Sequence, residues 1–270
     1  MADMPFRIGP DPNFHVELAS QRAVIHALLD ASRRGKDFTP LFGDFGIGKS
    51  TVARRILQEV NPARHTVGEL RLTRLEGDGL LDGVGRALGM RSTHALPPLG
   101  SLLQRLEALV REGRDALLLV DEAHRLGLDA LTRLRKLAAV RVEGRAALHV
   151  VLVGRFAPPA VEELHRLGRP LNINPPVHVE PLEYTDTRDY ILGRLRLAGG
   201  TGRPVFDVNT IAEIHARGGG NPGRINRLCG HILLQLFMEG RSDANAAVVR
   251  AVDDLLQKEL NGESATITLP

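Results

Sequence analysis

Residues 43–50 read Gly43-Asp44-Phe45-Gly46-Ile47-Gly48-Lys49-Ser50, which is the pattern G-x-x-x-x-G-K-[S/T]. The pattern stands between a short apolar run, Phe38 to Phe42, and a segment whose apolar residues recur at helical spacing. Its glycines allow turns that a Cβ would obstruct, so that successive N–H groups can point inward. The helix that follows adds its positive dipole end at the same place. The stretch therefore predicts a phosphate-binding loop between a strand and a helix.

The loop also assigns roles to its polar residues. The ammonium group of Lys49 is predicted to reach the β- and γ-phosphates of a nucleoside triphosphate, and the hydroxyl of Ser50 is predicted to hold Mg²⁺. The residues predicted to contact the nucleotide are Gly43, Asp44, Phe45, Gly46, Ile47, Gly48, Lys49, Ser50 and Thr51.

An acid pair ends a second apolar run. Leu117 to Val120 is continuous in the way expected of a central strand covered on both faces, and Asp121 and Glu122 follow it directly. Ligands of open parallel sheets bind at the carboxyl ends of the strands. Asp121 is therefore predicted to hold Mg²⁺, and Glu122 to orient or deprotonate the attacking water. His124 either senses the γ-phosphate or begins a helix, and the sequence leaves both open.

The composition is that of an ordinary soluble globular protein, with 43% hydrophobic and 25% charged residues. The single cysteine, Cys229, excludes an internal disulfide and a multi-cysteine metal site, and the histidine spacing fits no metal motif, so Mg²⁺ is the only metal predicted. No apolar run is long enough to cross a bilayer, and the start lacks a basic region followed by an apolar stretch. We therefore expect a cytoplasmic protein without an integral membrane segment.

Strand and helix patterns alternate over the first two thirds of the chain, which implies a parallel sheet with crossover connections. After Pro181 only helical periodicity remains. The predicted fold is α/β, a P-loop fold with a parallel five-stranded sheet flanked by helices and followed by a small all-α lid domain. The predicted strands are 38–42, 65–75, 115–120, 146–153 and 177–179. The predicted domains are an extended N-terminal segment at 1–15, a P-loop core at 16–182, a helical lid at 183–261 and a flexible tail at 262–270.

These motifs together resemble the AAA+ ATPases, and most closely the ExeA-like branch, meaning general secretion pathway protein A and related ATPases. The resemblance covers almost the entire chain. It is carried by PF at 5–6 with PDPNF at 10–14, GDFGIGKS at 43–50, LLLVDEAH at 117–124, VVLVG at 150–154, EPL at 180–182 and GGGNPGRINRLC at 218–229.

The resemblance implies an ATPase with ATP and Mg²⁺ as cofactors. It implies that Glu122 and Lys49 take part in hydrolysis, that the N-terminal segment lies against the adenine, and that Arg224 in the lid touches the γ-phosphate as sensor 2. It also implies a homo-oligomer on ATP binding, while the protein partner stays unknown.

Three positions depart from the usual pattern of this branch. Arg155 stands where sensor 1 is usually a neutral polar residue, and Gly223 separates Arg224 from the proline that it usually follows. Asn172 stands where the branch usually carries an arginine finger, so only Arg166 or Arg169 could substitute. Because such a finger supplied by a neighbour accelerates hydrolysis by orders of magnitude, we predict a slow ATPase or one whose subunits couple weakly.

Three functions are compatible with these features. The first is a mechanical enzyme in which ATP closes the lid and hydrolysis reopens it. The second is an ATP-dependent DNA-binding adaptor, similar to the ATPases that accompany transposases, and the third is a regulatory nucleotide switch. The second would use a basic patch, for which a merely solvated face is the alternative. The patch comprises Arg133, Arg135, Lys136, Arg141 and Arg145.

Overall fold

The computed structural model describes residues 4–7, 14–71, 79–90, 99–200 and 205–260. The chain divides into two compact units. Gln21–Val179 forms the first, and the described residues before 21 and after 179 form the second. The predicted core limits, 16–182, and the other predicted domain limits stay predictions. The predicted tail lies outside the described residues.

The first unit is built on a five-stranded parallel sheet, which confirms the predicted fold class. The strand order is β2-β3-β6-β1-β7, and every neighbouring pair in this sheet is parallel. A separate antiparallel hairpin is formed by β4 and β5. The strands are β1 (Phe38–Phe42), β2 (His65–Arg71), β3 (Asp115–Asp121), β4 (Arg141–Val142), β5 (Arg145–Ala146), β6 (Leu148–Gly154) and β7 (Val177–His178).

Helices follow the strands as the sequence predicts. Those of the first unit are α1 (Ala19–Ser32), α2 (Lys49–Glu59), α3 (Gly79–Ala87), α4 (Leu99–Arg111), α5 (Leu128–Ala138) and α6 (Pro159–Arg166), of which α1 begins in the second unit. Those of the second are α7 (Tyr184–Leu197), α8 (Val208–Gly218), α9 (Pro222–Met238) and α10 (Ala246–Leu260). None of the helices in the described chain is both long and apolar enough to span a bilayer.

Two predicted strands differ from the observed ones by more than one residue. The prediction for 65–75 runs past β2, and residues 72–75 lie outside the described ranges. The prediction for 146–153 begins too early, because Arg145 and Ala146 pair with Arg141 and Val142 in the hairpin. The buried strand β6 starts only at Leu148.

The two faces of the sheet bury alternate residues, since successive side chains of a strand point to opposite faces. In β3, Leu117 and Leu119 pack with apolar residues of α1 and α2, whereas Leu118 and Val120 pack with those of α3 to α6. The strand is therefore covered on both sides and carries its acidic residues to the end where β1 passes into the phosphate loop.

The second unit has its own core, made by α7 to α10. Phe6 and Leu18 are 5% and 2% exposed and belong to this core, so these two residues pack with α7 to α10. The segment between them, residues 8–13, lies outside the described ranges. The predicted contact of the N-terminal segment with adenine stays a prediction.

Candidate functional site: a phosphate loop and an acid pair

The loop between β1 and α2 has the backbone that the glycine pattern requires. Gly46 and Gly48 have φ of 77° and 98°, which residues with a Cβ rarely adopt. A Cβ on Gly43 would lie 2.8 Å from the carbonyl oxygen of Val179, so this position has no room for a side chain. Thr51 and Val52 donate their N–H groups to the carbonyl oxygen of Gly48 and close the first turn of α2. The loop therefore fits a phosphate group placed at a helix N-terminus.

Lys49 is directed into this loop. Its Nζ donates to the carbonyl oxygens of Gly43 and Asp44, at 2.8 and 2.7 Å. Burial lowers the pKa of Lys49, whereas the carboxylates of Glu122 and Asp121 act in the opposite direction. The lysine is therefore within electrostatic reach of both acids, and the fold brings the two predicted motifs together.

Asp121 is the last residue of β3, and its carboxylate is held by the backbone. Its Oδ1 accepts a hydrogen bond from the N–H of Glu122 at 3.0 Å. Together with the hydroxyl of Ser50 in the first turn of α2, it provides the hydroxyl and carboxylate oxygens that Mg²⁺ prefers. Within the described residues, no group of three His, Cys, Asp or Glu side chains could hold a metal ion by itself. Mg²⁺ at this site would therefore keep waters and phosphate oxygens among its ligands.

Glu122 has an unusual backbone conformation. Its φ is 58° and its ψ is 33°, in the left-handed region, where a residue with a Cβ is strained by about 1 kcal/mol or more. A short 3-10 turn, Ala123–Arg125, follows it, and the N–H of Arg125 donates to its carbonyl oxygen at 2.9 Å. The side chain is 46% exposed. The strand thus ends in a tight turn that presents this carboxylate to solvent beside the loop.

His124 lies in the 3-10 turn, and α5 begins only at Leu128, so it does not begin an α-helix. Its Nε2 is 3.6 Å from Oε2 of Glu122, and its ring lies 5.4 Å from that of Phe156, measured between centroids. Its Nδ1 is buried and has no hydrogen-bond partner among the described residues. The role as a γ-phosphate sensor stays a prediction.

The structure adds two residues that the sequence analysis missed. Arg54, in α2, donates from Nε and Nη2 to the carboxylate of Glu69 in β2, at 3.0 to 3.1 Å. Its Nη2 is also 3.9 Å from Oδ2 of Asp121. The spacing from Ser50 gives a signal, because residues four apart share a face of a helix.

The remaining predicted residues lie elsewhere. Arg224 is an exposed residue in the first turn of α9, in the second unit, where its N–H donates to the side chain of Asn221. Asn172 lies beside the amino end of β1, because its carbonyl oxygen accepts from the N–H groups of Asp37 and Phe38. Arg155, Arg166 and Arg169 are exposed. The roles of Arg224 as sensor 2 and of Arg166 or Arg169 as a finger stay predictions.

Ion pairs occupy part of the predicted basic patch. Arg133 pairs with Asp129 at 2.9 Å, and Arg141 pairs with the buried Asp37. Arg135, Lys136 and Arg145 form no ion pair with the described residues. The DNA-binding hypothesis therefore depends mainly on these three side chains and stays a prediction.

Comparison with known proteins agrees with this geometry. Residues 32–156 match the AAA domain family. General secretion pathway protein A of Aeromonas hydrophila is 29% identical over 247 residues, which cover 89% of this chain and 44% of that protein. The chain thus spans less than half the length of that relative.

Solved structures show the same fold at low identity. The ORC2 protein of Aeropyrum pernix in its ADP form has a TM-score of 0.66 at 16% identity, over 93% of this chain and 71% of that chain. The RuvB Holliday junction branch migration motor of Thermotoga maritima has a TM-score of 0.55 at 17% identity, over 94% of this chain and 74% of that chain. The matched domain at 32–156, the P-loop fold and the relative support an AAA+ ATPase that is similar to general secretion pathway protein A.

Proposed function

We propose that the chain binds ATP on residues 43–51 and hydrolyses it at the acid pair. The observation that supports this proposal most strongly is that the phosphate loop and the acid pair lie close together. Lys49 is seated in the loop, Arg54 of the helix that follows the loop lies 3.9 Å from Asp121, and the carboxylates of Glu122 and Asp121 raise the pKa of Lys49 against the effect of burial. A cation in the loop and two carboxylates opposite it are the groups that phosphoryl transfer to water requires.

Each residue has a distinct task in this proposal. The backbone N–H groups of the loop and the ammonium of Lys49 bind the phosphates, and Ser50 and Asp121 hold Mg²⁺, which neutralises charge on the phosphate oxygens. Glu122 accepts the proton of the attacking water, which displaces ADP from the γ-phosphorus. The half-exposed position of its side chain, at the end of β3, leaves it access to a water molecule.

The output that we propose is a nucleotide-dependent movement of the lid helices, with Arg224 as the contact to the γ-phosphate, and assembly with a partner. General secretion pathway protein A, which is named for secretion, is similar over most of this chain, but this chain spans only 44% of its length. We therefore propose an ATP-driven assembly step and leave its partner open. The DNA-binding adaptor and the slow nucleotide switch stay alternative hypotheses.

Two substitutions test this proposal. Lys49→Ala is expected to abolish ATP binding in calorimetric titration, because the phosphates lose the cation of the loop. Glu122→Gln is expected to bind ATP as the parent does. It is expected to hydrolyse ATP at least about 100-fold more slowly, because an amide cannot accept the proton. Lys136→Ala, at an exposed lysine of α5, is the control and is expected to change neither quantity.

Two results would contradict the proposal. If folded parent protein releases no heat with ATP and Mg²⁺, the binding site is wrong. If Glu122→Gln hydrolyses ATP at the parent rate, the assignment of the base is wrong while the binding site stands.

A further inference from the structure

Glu69 and Arg54 form a charge pair next to the proposed magnesium site. Arg54 lies one turn after Ser50 in α2, and its Nε and Nη2 donate to both carboxylate oxygens of Glu69, at 3.0 to 3.1 Å. Such a two-pronged pair fixes the plane of the guanidinium. The side chains are only 24% and 27% exposed, so water screens the pair incompletely.

The same guanidinium faces the acid that we propose as a metal ligand. Nη2 of Arg54 is 3.9 Å from Oδ2 of Asp121, whose other oxygen accepts from the N–H of Glu122. The register of β2 and β3 pairs Glu69 with Leu119 and Arg71 with Asp121. The side chains of Glu69, Arg71 and Asp121 therefore share one face of the sheet. Oδ2 is therefore the oxygen that an arginine and a metal ion would both approach.

On this face, Glu69 rather than Asp121 accepts the hydrogen bonds of the neighbouring arginines. Glu69 accepts from Arg54 and also from Nε of Arg71, at 3.0 Å, so one carboxylate holds two guanidinium groups. The side chain of Arg71 is 53% exposed and is solvated, whereas Arg54 is enclosed. If Glu69 were absent, the carboxylate of Asp121 would be the remaining described partner for the enclosed guanidinium of Arg54.

We propose that Glu69 is a positioning residue that holds Arg54 beside Asp121 but not on it, so that the carboxylate of Asp121 stays available to Mg²⁺. This inference rests on the proposed function, because it requires that Asp121 act as the magnesium ligand. Arg54 directly paired with Asp121 would compete with the metal for the same oxygen and would raise the Mg²⁺ concentration that the site needs.

The test measures the affinity of the full chain for a fluorescent ATP analogue as free Mg²⁺ is varied. Glu69→Ala is expected to raise the half-saturating Mg²⁺ concentration by about tenfold, the size expected of one charge-assisted hydrogen bond. Affinity measured in EDTA is expected to stay at the parent value. The double variant Arg54→Ala/Glu69→Ala is expected to bring the Mg²⁺ requirement back to within about twofold of the parent value, because the enclosed guanidinium of Arg54 is gone and that of Arg71 is solvated.

The chain offers a matched control on the same helix. Glu59 accepts from Nε of Arg55 at 3.1 Å, so Glu59→Ala also removes the carboxylate partner of an arginine of α2. It is expected to leave the Mg²⁺ requirement unchanged. Glu69→Gln, which keeps the size of the side chain, replaces Glu69→Ala if the latter fails to give the circular dichroism spectrum of the folded parent.

The outcomes separate this inference from the proposed function. An unchanged Mg²⁺ requirement in both Glu69 variants overturns it, and so does a raised requirement that removal of Arg54 does not restore. Parent protein that binds no nucleotide with or without Mg²⁺ overturns the proposed function as well. A parent that binds nucleotide normally while both Glu69 variants match it overturns only the role of Glu69.

Discussion

His149, the second residue of β6, is buried and has both ring nitrogens within hydrogen-bonding distance of a partner. Nδ1 is 2.9 Å from the carbonyl oxygen of Lys36, which can only accept, so Nδ1 carries the proton. Nε2 is then the acceptor for the hydroxyl of Thr39 at 2.9 Å, and that hydroxyl accepts in turn from Nδ2 of Asn174. In this series of hydrogen bonds, each donor has its own acceptor only if the imidazole of His149 is neutral.

The neutral form of His149 makes stability depend on pH. Burial lowers its pKa below the ordinary 6.5, although the Lys36 carbonyl and nearby Asp37 and Asp115 act in the opposite direction. The unfolded chain therefore binds a proton first as the pH falls below about 6.5, and the folded state loses stability there. The stability that neutral His149 contributes is fully present above about pH 6.5.

We predict that His149→Gln removes part of this acid sensitivity. The variant is expected to be less stable than the parent by about 1 to 2 kcal/mol at pH 7.5, because it loses buried hydrogen bonds. Between pH 7.5 and pH 5.5, its free energy of unfolding, measured with urea, is expected to fall less than that of the parent. His26→Gln, at an exposed site of α1, is the control. Equal losses in parent and His149→Gln would contradict the prediction.

Residues within one motif were predictable, and residues joined across the sheet were not. The loop at 43–50 and the acid pair are local patterns, so the sequence alone indicates their chemistry. Arg54 and Glu69 are 15 residues apart, and Thr39 and His149 are 110 apart. Their meeting depends on the strand order, which hydrophobic periodicity does not determine.

At the scale of single elements, the hairpin of β4 and β5 is strained at its turn. Val142 pairs with Arg145, and the two residues between them, Glu143 and Gly144, have φ of 52° and 79°. Positive φ at both central positions defines a type I′ turn, which favours Asn-Gly. Glutamate is a poor residue at the first of these positions, because its Cβ is crowded there.

We predict that Glu143→Asn stabilises the first unit by about 0.5 to 1 kcal/mol, because asparagine tolerates the left-handed conformation better. Thermal unfolding would show this as a higher Tm. Glu143→Gln removes the same charge without changing the backbone preference and serves as the control. An equal rise in both variants would assign the effect to charge rather than to the turn.

The same hairpin explains one error of the sequence analysis. The apolar residues from Ala146 onward predict a single strand, but the Glu143-Gly144 pair is a weaker hairpin signal than Asn-Gly. The N–H of Ala147 donates to the carbonyl oxygen of Val140 at 3.1 Å and separates the hairpin from β6. Both ends of β3 and the carboxyl end of β6 were predicted to within a residue.

At the scale of the whole chain, a buried arginine links the two stretches of sequence that make up the second unit. Arg194, in α7, is 5% exposed, and its Nε donates to the carbonyl oxygen of Pro5 at 2.6 Å. Its guanidinium also donates to the hydroxyl of Tyr190 and lies 5.8 Å from the ring centroid of Phe14. It has no carboxylate partner among the described residues, so neutral oxygens and aromatic faces stabilise its charge.

We predict that Arg194→Ala destabilises the second unit by about 3 kcal/mol, since it loses a charge-assisted hydrogen bond and the aromatic contacts. Amide hydrogen exchange is expected to show lower protection in α7 to α10 and unchanged protection in β1, β3 and β6. Arg196→Ala, at an exposed arginine of the same helix, is the control. Equal deprotection of both units would contradict this assignment.

The division into a sheet-based unit and a helical one was predictable, because the strand pattern stops at Pro181. The membership of the first residues in the helical unit was not, because it depends on Arg194 reaching a carbonyl oxygen 189 residues earlier in the chain. Periodicity describes only neighbours along the chain. The resemblance implies a contact of the N-terminal segment with adenine, but no local sequence pattern identifies Arg194 as the partner of Pro5.

The attachment of Pro5 to α7 has a practical consequence for spectroscopy. A dye coupled next to it, at the exposed Met4, would rotate together with α7 to α10, although it is attached at the beginning of the chain. Paired with a second dye on α5, it would test whether the helical unit moves when nucleotide is added.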